Sequence, residues 1–504
     1  MSLKVQAVKN VSATWLGLLV HAAVGFFLSP FILHKLGDEA FSVWVLVFAF
    51  TGYYGLLDLG IRSSIVKYTA NFVATNDVEQ LSRYLSTSIA FYTVVAVGVL
   101  LATVAVFFHL QSLFKIPVGL VKPAKILLLL SGASIALTFP FGVFAGVLEG
   151  LQKFSWLQLS NMAVTMVRAV LIVVALRNGG GLIAVGIITV AMNLLSYLAF
   201  ACLAFVILPV RLSTRNIDPG AFRRMASYGF FAFAILTAEK LRFQSDALVL
   251  GAVLSSSAIT SFSIGARLVE YSSYAVRSMS QIVTPIASQL HAAGDLVRLR
   301  WTLVAGNQAC ALICFPLCVT LVILGKSIIE CWVGARYVSS YVVLIVLLVP
   351  RSIYLAQSTS TRVLLGMGRH RLLASILLLE GGVNLLLSLA LVHRFGMVGV
   401  AVGTAIPLMC TSLLFLPFHV CRVLEMPVWS LLGRAYRLPV VLCVPLAAVL
   451  LLAEYEFPGH GYGSFLPQIA CGGAVYLAGM GLAFSKGIRL PRSWQEFAQA
   501  LEPK

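Results

Sequence analysis

Long apolar blocks alternate with short polar segments along almost the entire chain. The blocks are roughly 18 to 28 residues long, and at about 1.5 Å per residue each can cross a hydrocarbon core about 30 Å thick as an α-helix. We therefore predict an all-α polytopic membrane protein with about fourteen transmembrane helices. The predicted spans are 11–33, 40–60, 87–108, 123–148, 156–176, 181–208, 226–252, 258–285, 302–325, 337–360, 372–392, 397–420, 437–453 and 464–485.

The two halves of the chain carry similar short segments at a nearly constant shift of about 218 residues. Four matches occur in the same order, for example VATND (73–77) with HAAGD (291–295). This pattern predicts an internal duplication, with two pseudo-symmetric six-helix lobes plus two C-terminal helices. Chance similarity between apolar segments is the alternative. The other matching pairs are 36–44 with 254–262, 148–154 with 364–371, and 177–186 with 393–403.

The duplication sets the predicted domain boundaries. Because each lobe holds an even number of spans, both lobes should point the same way, related by an axis along the membrane normal. Between them, Asp218 can cap and Pro219 can begin a short basic amphipathic helix, and a plain linker is the alternative. The predicted domains are an N-terminal lobe (1–210), a cytoplasmic amphipathic linker (211–225), a C-terminal lobe (226–421), and two additional helices with a cytoplasmic tail (422–504).

The composition agrees with a membrane protein. Hydrophobic residues make up 60% of the chain and charged residues only 11%, whereas a soluble domain carries roughly 25% charged residues. The net charge of +18 comes largely from Lys and Arg in the segments that would face the cytoplasm, which predicts cytoplasmic N- and C-termini. We attribute the excess charge to topology and to anionic lipid headgroups, and we expect no nucleic-acid partner.

Catalytic motifs are absent from the sequence. It contains no GxxxxGK[ST], CxxC, HExxH or GxSxG pattern, so we expect neither enzymatic activity nor a cofactor. The histidines are scattered, and we expect no metal site. Cys310, Cys314 and Cys318 repeat every four residues within one apolar span, which is typical of close helix packing rather than of a disulfide framework.

Charged residues within the predicted spans are the sharpest functional signal, since an ionised group at the bilayer centre costs about 2.5 to 3.5 kcal/mol on insertion scales. In the seventh span, Glu239, Arg242 and Asp246 follow a spacing of i, i+3, i+7, which predicts one helical face with Lys240 to its side. The eighth span carries a second mixed stripe on one face. Its members are Arg267, Glu270, Tyr274 and Arg277.

The second span, which corresponds to the eighth in the duplication, carries a similar pattern. Tyr54, Asp58 and Arg62 are spaced i, i+4, i+8, which predicts a shared face if the helix is continuous. Asp58 and Arg62 should lie close to the cytoplasmic interface. For these two, local pairing at the interface and a role in substrate binding are both open.

Three interpretations of the stripes stay open. The arginines, with Lys240, could bind an anionic group, because guanidinium groups match phosphate oxygens bidentately. Glu239, Asp246, Glu270 and Asp58 could tune the site, or bind protons or cations and couple a gradient to transport. Mutual ion pairing between the seventh and eighth helices would satisfy the charges without any substrate. The other intramembrane charges, which we interpret as packing or interfacial groups, are Arg168, Arg351 and Glu380.

The stretch FFLSPFILHKLGDEAFSVWVLVFAFTGYYGLLDLGIRSSIVKYTAN (26–71) resembles the polysaccharide-biosynthesis flippases of the multidrug/oligosaccharidyl-lipid/polysaccharide exporter superfamily. The resemblance extends through LEGLQKF, IIECWVGARY (328–337) and LLGMGRHRL (364–372). It implies a V-shaped pair of six-helix lobes whose cationic cavity, lined by the first, second, seventh and eighth spans, alternates between the two faces. The first span departs from the lipid II flippases in having no arginine, with His21 as its only ionisable residue.

The resemblance also implies a substrate, a polyprenyl-pyrophosphate-linked oligosaccharide moved across the membrane for surface polysaccharide assembly. Carried onto this chain by position, the binding arginines would be Arg62, Arg242, Arg267 and Arg277. Expected partners are this lipid-linked substrate, membrane lipids, polysaccharide polymerase and glycosyltransferases. The alternatives are cation-coupled multidrug efflux, a lipid II flippase, and a non-transporting scaffold for the polysaccharide enzymes.

Overall fold

A computed structural model describes residues 3–208, 212–457 and 461–485. Helices account for most of these residues, and no strand occurs among them, which confirms the all-α class. The C-terminal tail that was expected at the cytoplasmic surface lies outside the described residues. The α-helices are α1 (Leu3–Leu36), α2 (Asp38–Gly52), α3 (Ile61–Ala74), α4 (Val78–Leu113), α5 (Val121–Gly150), α6 (Phe154–Arg177), α7 (Leu182–Ile207), α8 (Pro219–Phe243), α9 (Ser245–Val253), α10 (Ser256–Gln281), α11 (Val283–Ala292), α12 (Leu296–Val333), α13 (Ser340–Ala356), α14 (Ser358–Gly366), α15 (His370–Cys410), α16 (Leu416–Val423), α17 (Val428–Glu456) and α18 (Tyr462–Ser485).

The described helices agree with a chain that crosses the membrane about fourteen times. Ten helical segments are long and apolar enough to span it, and α13 with α14, bent by 43°, can form an eleventh. The segment Arg371–Val423 has 53 residues, too many for one crossing, and Gly396 interrupts it with φ 56° and ψ −136°. It therefore supplies two spans. The charged helices α8 and α10, each with the short helix that follows it, correspond to the predicted seventh and eighth spans.

Two predicted spans are interrupted within the charged patterns that the sequence suggested for them. After α2 the chain forms a 3-10 helix (Tyr53–Asp58), and then Leu59 and Gly60 both take left-handed φ angles, 50° and 73°. An α-helix cannot continue through such residues, so the prediction that Tyr54, Asp58 and Arg62 share one helical face is wrong. The seventh span breaks at Gln244, between α8 and α9.

Helix α8 begins at Pro219. Residues 219–225 are therefore the first turns of this helix rather than a separate linker helix.

The same helix-start turn recurs at the predicted shift of about 218 residues. Asn76, with φ 55°, precedes Asp77, and Gly294, with φ 71°, precedes Asp295. Each aspartate caps a long helix by accepting the backbone N–H three residues further on at 2.9 Å. A left-handed residue followed by a capping aspartate reverses the chain and begins a helix. These two turns agree with the predicted pseudo-symmetric lobes.

A second turn also recurs, at the nearly equal shift that matches LEGLQKF with LLGMGRHR. Gln152 has φ 57° before α6, and Gly368 has φ 72° before α15. Both turns close with the same backbone hydrogen bonds, and the helix before each turn ends at a glycine in close contact with a neighbouring helix. Gly150 lies against Val66 and Thr69, and Gly366 lies against Thr284, Ala287 and Ser288.

By its contacts, the chain divides into two compact units, Met1–Thr260 and Ser261–Lys504. Within the first unit, α8 packs against α3 and α9 against α2, so the contact boundary falls later than the boundary derived from the duplication. The predicted lobe limits at 210 and 226 come from the sequence duplication, whereas the two units are defined by contacts. The lobe limits therefore stay a prediction. The first unit has a core around Ile61, Tyr84 and Leu148, and the second packs α12 against α13 and α17.

Candidate functional site

In the first unit, polar side chains gather where α8 breaks into α9. The Lys240 ammonium donates to Gln244 Oε1 at 2.8 Å, and the Tyr53 hydroxyl donates to the Lys240 carbonyl at 3.2 Å. The end of α2 passes so close that a Cβ on Gly52 would lie 2.9 Å from Gln244 Oε1. The break thus holds the half-buried Lys240 side chain against the end of α2.

The other charged residues of the seventh span differ sharply in exposure. Arg242 is only 1% exposed, with its guanidinium carbon 4.9 Å from the centre of the Phe243 ring, and Asp246 is 6% exposed. Glu239, in contrast, is exposed. The predicted common face of Glu239, Arg242 and Asp246 is therefore wrong, because the helix ends between the arginine and the aspartate. In this state Arg242 is a packed group and is not open to a ligand.

Arg62 forms an ion pair, one of the two roles that the sequence left open for it, with a partner that the sequence did not indicate. Its Nη2 donates to Glu149 Oε1 at 2.6 Å, and the two side chains are 44% and 27% exposed. The pair joins α3 to the end of α5. Arg62 is therefore partly neutralised but remains accessible from solvent.

Asp58, four residues before Arg62, stabilises the start of α3. Its carboxylate accepts the hydroxyl hydrogen of Tyr92, and the backbone N–H groups of Gly60 and Arg62 face the same carboxylate. A carboxylate at a helix N-terminus satisfies unpaired N–H groups and complements the helix dipole. This geometry favours the local pairing that the sequence left open for Asp58.

In the second unit, α10 keeps the predicted charged stripe. The helix is continuous from Ser256 to Gln281, so Arg267, Glu270, Tyr274 and Arg277 share one face as predicted. Glu270 is exposed and the other three are half-buried. The Tyr274 hydroxyl hydrogen-bonds the Glu270 carboxylate, and the charge of Arg267 acts on the same phenol. The stripe thus presents two guanidinium groups with an acid–phenol pair between them.

Two further intramembrane charges of this unit are buried. Arg351 on α13 is 6% exposed, donates through Nε to Ser273 Oγ at 3.4 Å, and lies 5.5 Å from the centre of the Tyr354 ring. Glu380 is 5% exposed. The contacts of Arg351 join α13 to α10, in agreement with a packing role. Within the described ranges, no group of three or more His, Cys, Asp or Glu residues could hold a metal ion.

The sequence interpretation did not identify several participants in these contacts. Glu149 lies in LEGLQKF, a segment that was interpreted only through the duplication and the family resemblance, although a carboxylate at the end of an apolar span is itself a signal. Nothing in the neighbouring sequence indicates the contacts that Tyr92 and Gln244 make, because a tyrosine or glutamine in an apolar helix is common. Their roles come from contacts with residues distant in sequence or from a break in the helix.

The fold is shared with solved flippases and transporters. The inward closed lipid II flippase MurJ matches with a TM-score of 0.71 at 15% identity, covering 96% of this chain and 100% of that chain. An outward-facing multidrug resistance MATE family transporter of the MOP superfamily matches with a TM-score of 0.62 at 14% identity, covering 84% and 96%. A MOP superfamily transporter from Pyrococcus furiosus also gives 0.62, at 15% identity and with the same coverage. At these identities the likeness defines the fold alone: that of a polytopic membrane transporter.

The sequence comparison then gives the family. Residues 7–291, more than half of the chain, match the polysaccharide biosynthesis protein family, and the chain belongs to it. A relative described as the uncharacterized membrane protein EpsK of Bacillus subtilis (strain 168) is 23% identical over 439 residues, covering 82% of this chain and 83% of the relative. The resemblance drawn from residues 26–71 is thereby confirmed. Family and fold together are those of membrane flippases and transporters.

Proposed function

We propose that this protein moves a polyprenyl-pyrophosphate-linked oligosaccharide from the cytoplasmic to the outer leaflet of a bacterial inner membrane, for assembly of O-antigen or exopolysaccharide. Membership of the polysaccharide biosynthesis family and the flippase-like fold support a lipid-linked substrate. The observation that carries the proposal is the cationic stripe on α10, where two half-buried arginines lie on one helical face.

The spacing of this stripe suits a two-part headgroup. Arg267 and Arg277 are separated by about 15 Å along the helix axis, which is longer than one pyrophosphate. One guanidinium can therefore bind the pyrophosphate bidentately while the other meets the sugar or receives the pyrophosphate at a later stage. Between them, Tyr274 and Glu270 offer an aromatic face, a hydroxyl and a carboxylate, which are groups that suit sugar hydroxyls.

The proposed mechanism is alternating access, and the first unit adds further candidates to it. Lys240 and Arg62 are both partly accessible, which supports a role for them in binding the anionic substrate. Arg242 would have to leave its packed position to contribute. Glu239, Asp246, Glu270 and Asp58 remain the candidate gating or coupling carboxylates, with Asp58 the weakest because α3 and Tyr92 already use its oxygens.

Topology and partners complete the proposal. Both termini would lie in the cytoplasm, where glycosyltransferases assemble the lipid-linked sugar, and the outer leaflet would deliver it to a polymerase. A drug-efflux transporter with the same fold would be expected to bind cationic compounds, which the two arginines of α10 would repel. A scaffold without transport activity would show no leaflet transfer at all.

Reconstitution with a labelled lipid-linked oligosaccharide tests the proposal. We expect Arg267→Gln and Arg277→Gln each to lower the transfer rate about tenfold or more, because each loses a charge-assisted hydrogen bond worth about 1.5 to 3 kcal/mol. Lysine at either position should restore part of the rate, since it keeps the charge but not the planar fork.

The matched control is Arg298→Gln. Arg298 belongs to the same unit, but its side chain is 65% exposed and pairs with Asp295 at 3.2 Å, so its loss should leave transfer unchanged. Wild-type rates in both α10 variants, at normal membrane insertion, would contradict the cationic site. Absence of transfer by the wild type, with drug efflux by the same vesicles, would replace the proposed substrate class.

A further inference from the structure

The ion pair between Arg62 and Glu149 joins the ends of two helices. Arg62 is the second residue of α3, and Glu149 lies in the last turn of α5. The partial charges of helix termini disfavour a cation in a first turn and a carboxylate in a last turn. Neither charge is therefore compensated by its own helix, and each depends on groups outside it.

Glu149 is held in place by Arg62. Its carboxylate accepts a hydrogen bond from Arg62 Nη2 at 2.6 Å, and no other donor reaches it among the described residues. Asp58 is the other carboxylate whose charge acts on Arg62, but Tyr92 and the backbone N–H groups at the start of α3 fix its position. Glu149 is thus the carboxylate that can leave Arg62 without breaking other hydrogen bonds.

The Arg62 guanidinium has donors left for a second anion. Its side chain is 44% exposed, and its Nε and Nη1 have no acceptor within the described ranges of the chain. A guanidinium binds two oxygens at once along its Nε–Nη2 edge or its Nη1–Nη2 edge, and Nη2 belongs to both. A phosphate that binds Arg62 bidentately must therefore use the nitrogen on which Glu149 lies, where the two anions would repel each other.

The balance of the two interactions favours a pyrophosphate over the carboxylate. A solvent-accessible ion pair contributes little free energy, so Glu149 is displaced at low cost. A pyrophosphate has more charge and more acceptor oxygens than one carboxylate, and a bidentate pair of charge-assisted hydrogen bonds is stronger than the single one that it replaces.

We propose that Glu149 is an internal counter-anion, which occupies Arg62 until the pyrophosphate of the transported lipid takes its place. The displacement breaks the ion pair between α3 and α5, so substrate binding releases one link between these helices. When Glu149 returns to Arg62, it competes with the substrate and promotes its release. This inference rests on the proposed function, because it takes the pyrophosphate of that substrate as the displacing anion.

The first test uses inorganic pyrophosphate as the probe and needs no lipid-linked sugar. The apparent Tm of the purified full-length protein is measured against pyrophosphate at constant ionic strength, and each variant is compared with its own anion-free Tm. We expect Glu149→Gln to lower the half-saturating concentration about two- to fivefold, because the anion no longer displaces a carboxylate. Glu149→Ala should do the same, which excludes a contribution from the new amide.

Arg62 itself provides the second arm of this test. Arg62→Gln should raise the half-saturating concentration at least about fivefold, because the bidentate contact is lost. In the double variant Arg62→Gln/Glu149→Gln, the gain from removing Glu149 should disappear, since that gain acts through the guanidinium.

Glu79→Gln is the matched control. The Glu79 carboxylate accepts a hydrogen bond from Arg83 Nη2 at 2.6 Å, the same atoms and the same distance as in the Arg62 pair, and it lies in the same unit. Both of its partners belong to α4. Its loss removes the same charge from a pair within one helix and should leave the half-saturating concentration unchanged.

Transfer in vesicles gives a readout that a merely structural ion pair would not change in this way. In Glu149→Gln the apparent KM for the lipid-linked substrate should fall about two- to fivefold, and kcat should fall with it, because no carboxylate competes with the substrate for Arg62.

Several results would overturn the exchange. They are an unchanged half-saturating concentration in Glu149→Gln, an equal change in Glu79→Gln, and an unchanged response in Arg62→Gln, which would place the anion elsewhere. If the pyrophosphate results are as expected but the wild type transfers no lipid-linked sugar, the proposed substrate fails and the exchange at Arg62 stands. Normal transfer by the wild type with pyrophosphate binding that is independent of Arg62 would overturn the exchange alone.

Discussion

Replacing Asp58 by asparagine should cost stability and leave most of the transport activity. The carboxylate accepts a hydrogen bond from Tyr92 and faces two backbone N–H groups at the start of α3. Asparagine keeps one oxygen for these contacts but loses the charge. A charge at a helix N-terminus contributes about 0.3 to 1 kcal/mol, and a hydrogen bond to a charged acceptor exceeds a neutral one by about 1 kcal/mol. The expected loss is therefore about 1 to 2 kcal/mol.

Leucine at the same position should cost more. It leaves the Tyr92 hydroxyl, on a residue that is 2% exposed, without its acceptor, which adds about 1 to 3 kcal/mol. Tyr92→Phe is the matched control, because it removes one donor while the carboxylate continues to cap α3. Its expected loss is about 1.5 to 3 kcal/mol, the value of a hydrogen bond to a charged acceptor, and it should also leave transport intact.

The assay separates capping from coupling. Thermal unfolding in detergent gives the stability of each variant, and transfer in vesicles is normalised to the amount of folded protein. For a capping residue, Tm falls by a few degrees and the normalised rate of Asp58→Asn stays above about half of the wild-type rate. If Asp58→Asn abolished transfer at an unchanged Tm, Asp58 would be a coupling carboxylate rather than a capping residue.

Two further predictions concern packing and pairing. Gly366→Ala should destabilise the second unit by about 1 to 3 kcal/mol, because the new Cβ would lie 2.6 Å from the Thr284 carbonyl oxygen; Gly382→Ala, with nothing within 4 Å, should be neutral or slightly stabilising, and equal effects on Tm would contradict this. For Arg62 and Glu149, a double-mutant cycle in thermal unfolding should give a coupling of at most about 1 kcal/mol, because the pair is solvent-accessible. A coupling above about 2 kcal/mol would show that the pair is effectively buried.

Helical periodicity predicted the α10 stripe correctly and failed in the second and seventh spans, where a break falls inside the charged pattern. Arg267 and Arg277 lie on one face because α10 has no break between them, and a regular helix places residues by sequence spacing alone. Sequence spacing predicted a shared face wrongly across Leu59 and across Gln244, because the helix is interrupted at both residues. Of these, only the glycine after Leu59 was a visible signal, since glycine takes left-handed angles readily. Nothing in the local sequence marks Gln244 as a break.

The sequence by itself determined the membrane architecture and the family. Span length, the scarcity of charge and the duplicated turns at Asp77 and Asp295 are local properties, each set by a few neighbouring residues. A hydrocarbon core imposes one strong condition on every span, so composition is enough to detect it.

Tertiary structure alone decided which charged groups are accessible. Arg62 pairs with Glu149, Asp58 accepts a hydrogen bond from Tyr92, and the Arg242 guanidinium lies over the ring of Phe243. The first two contacts join residues that are far apart in sequence, and the burial of Arg242 depends on the helices packed around it. Local patterns do not encode such contacts, because the free energy of a buried charge depends on every group that surrounds it. The packing around α10 likewise decides that its charged stripe stays partly exposed.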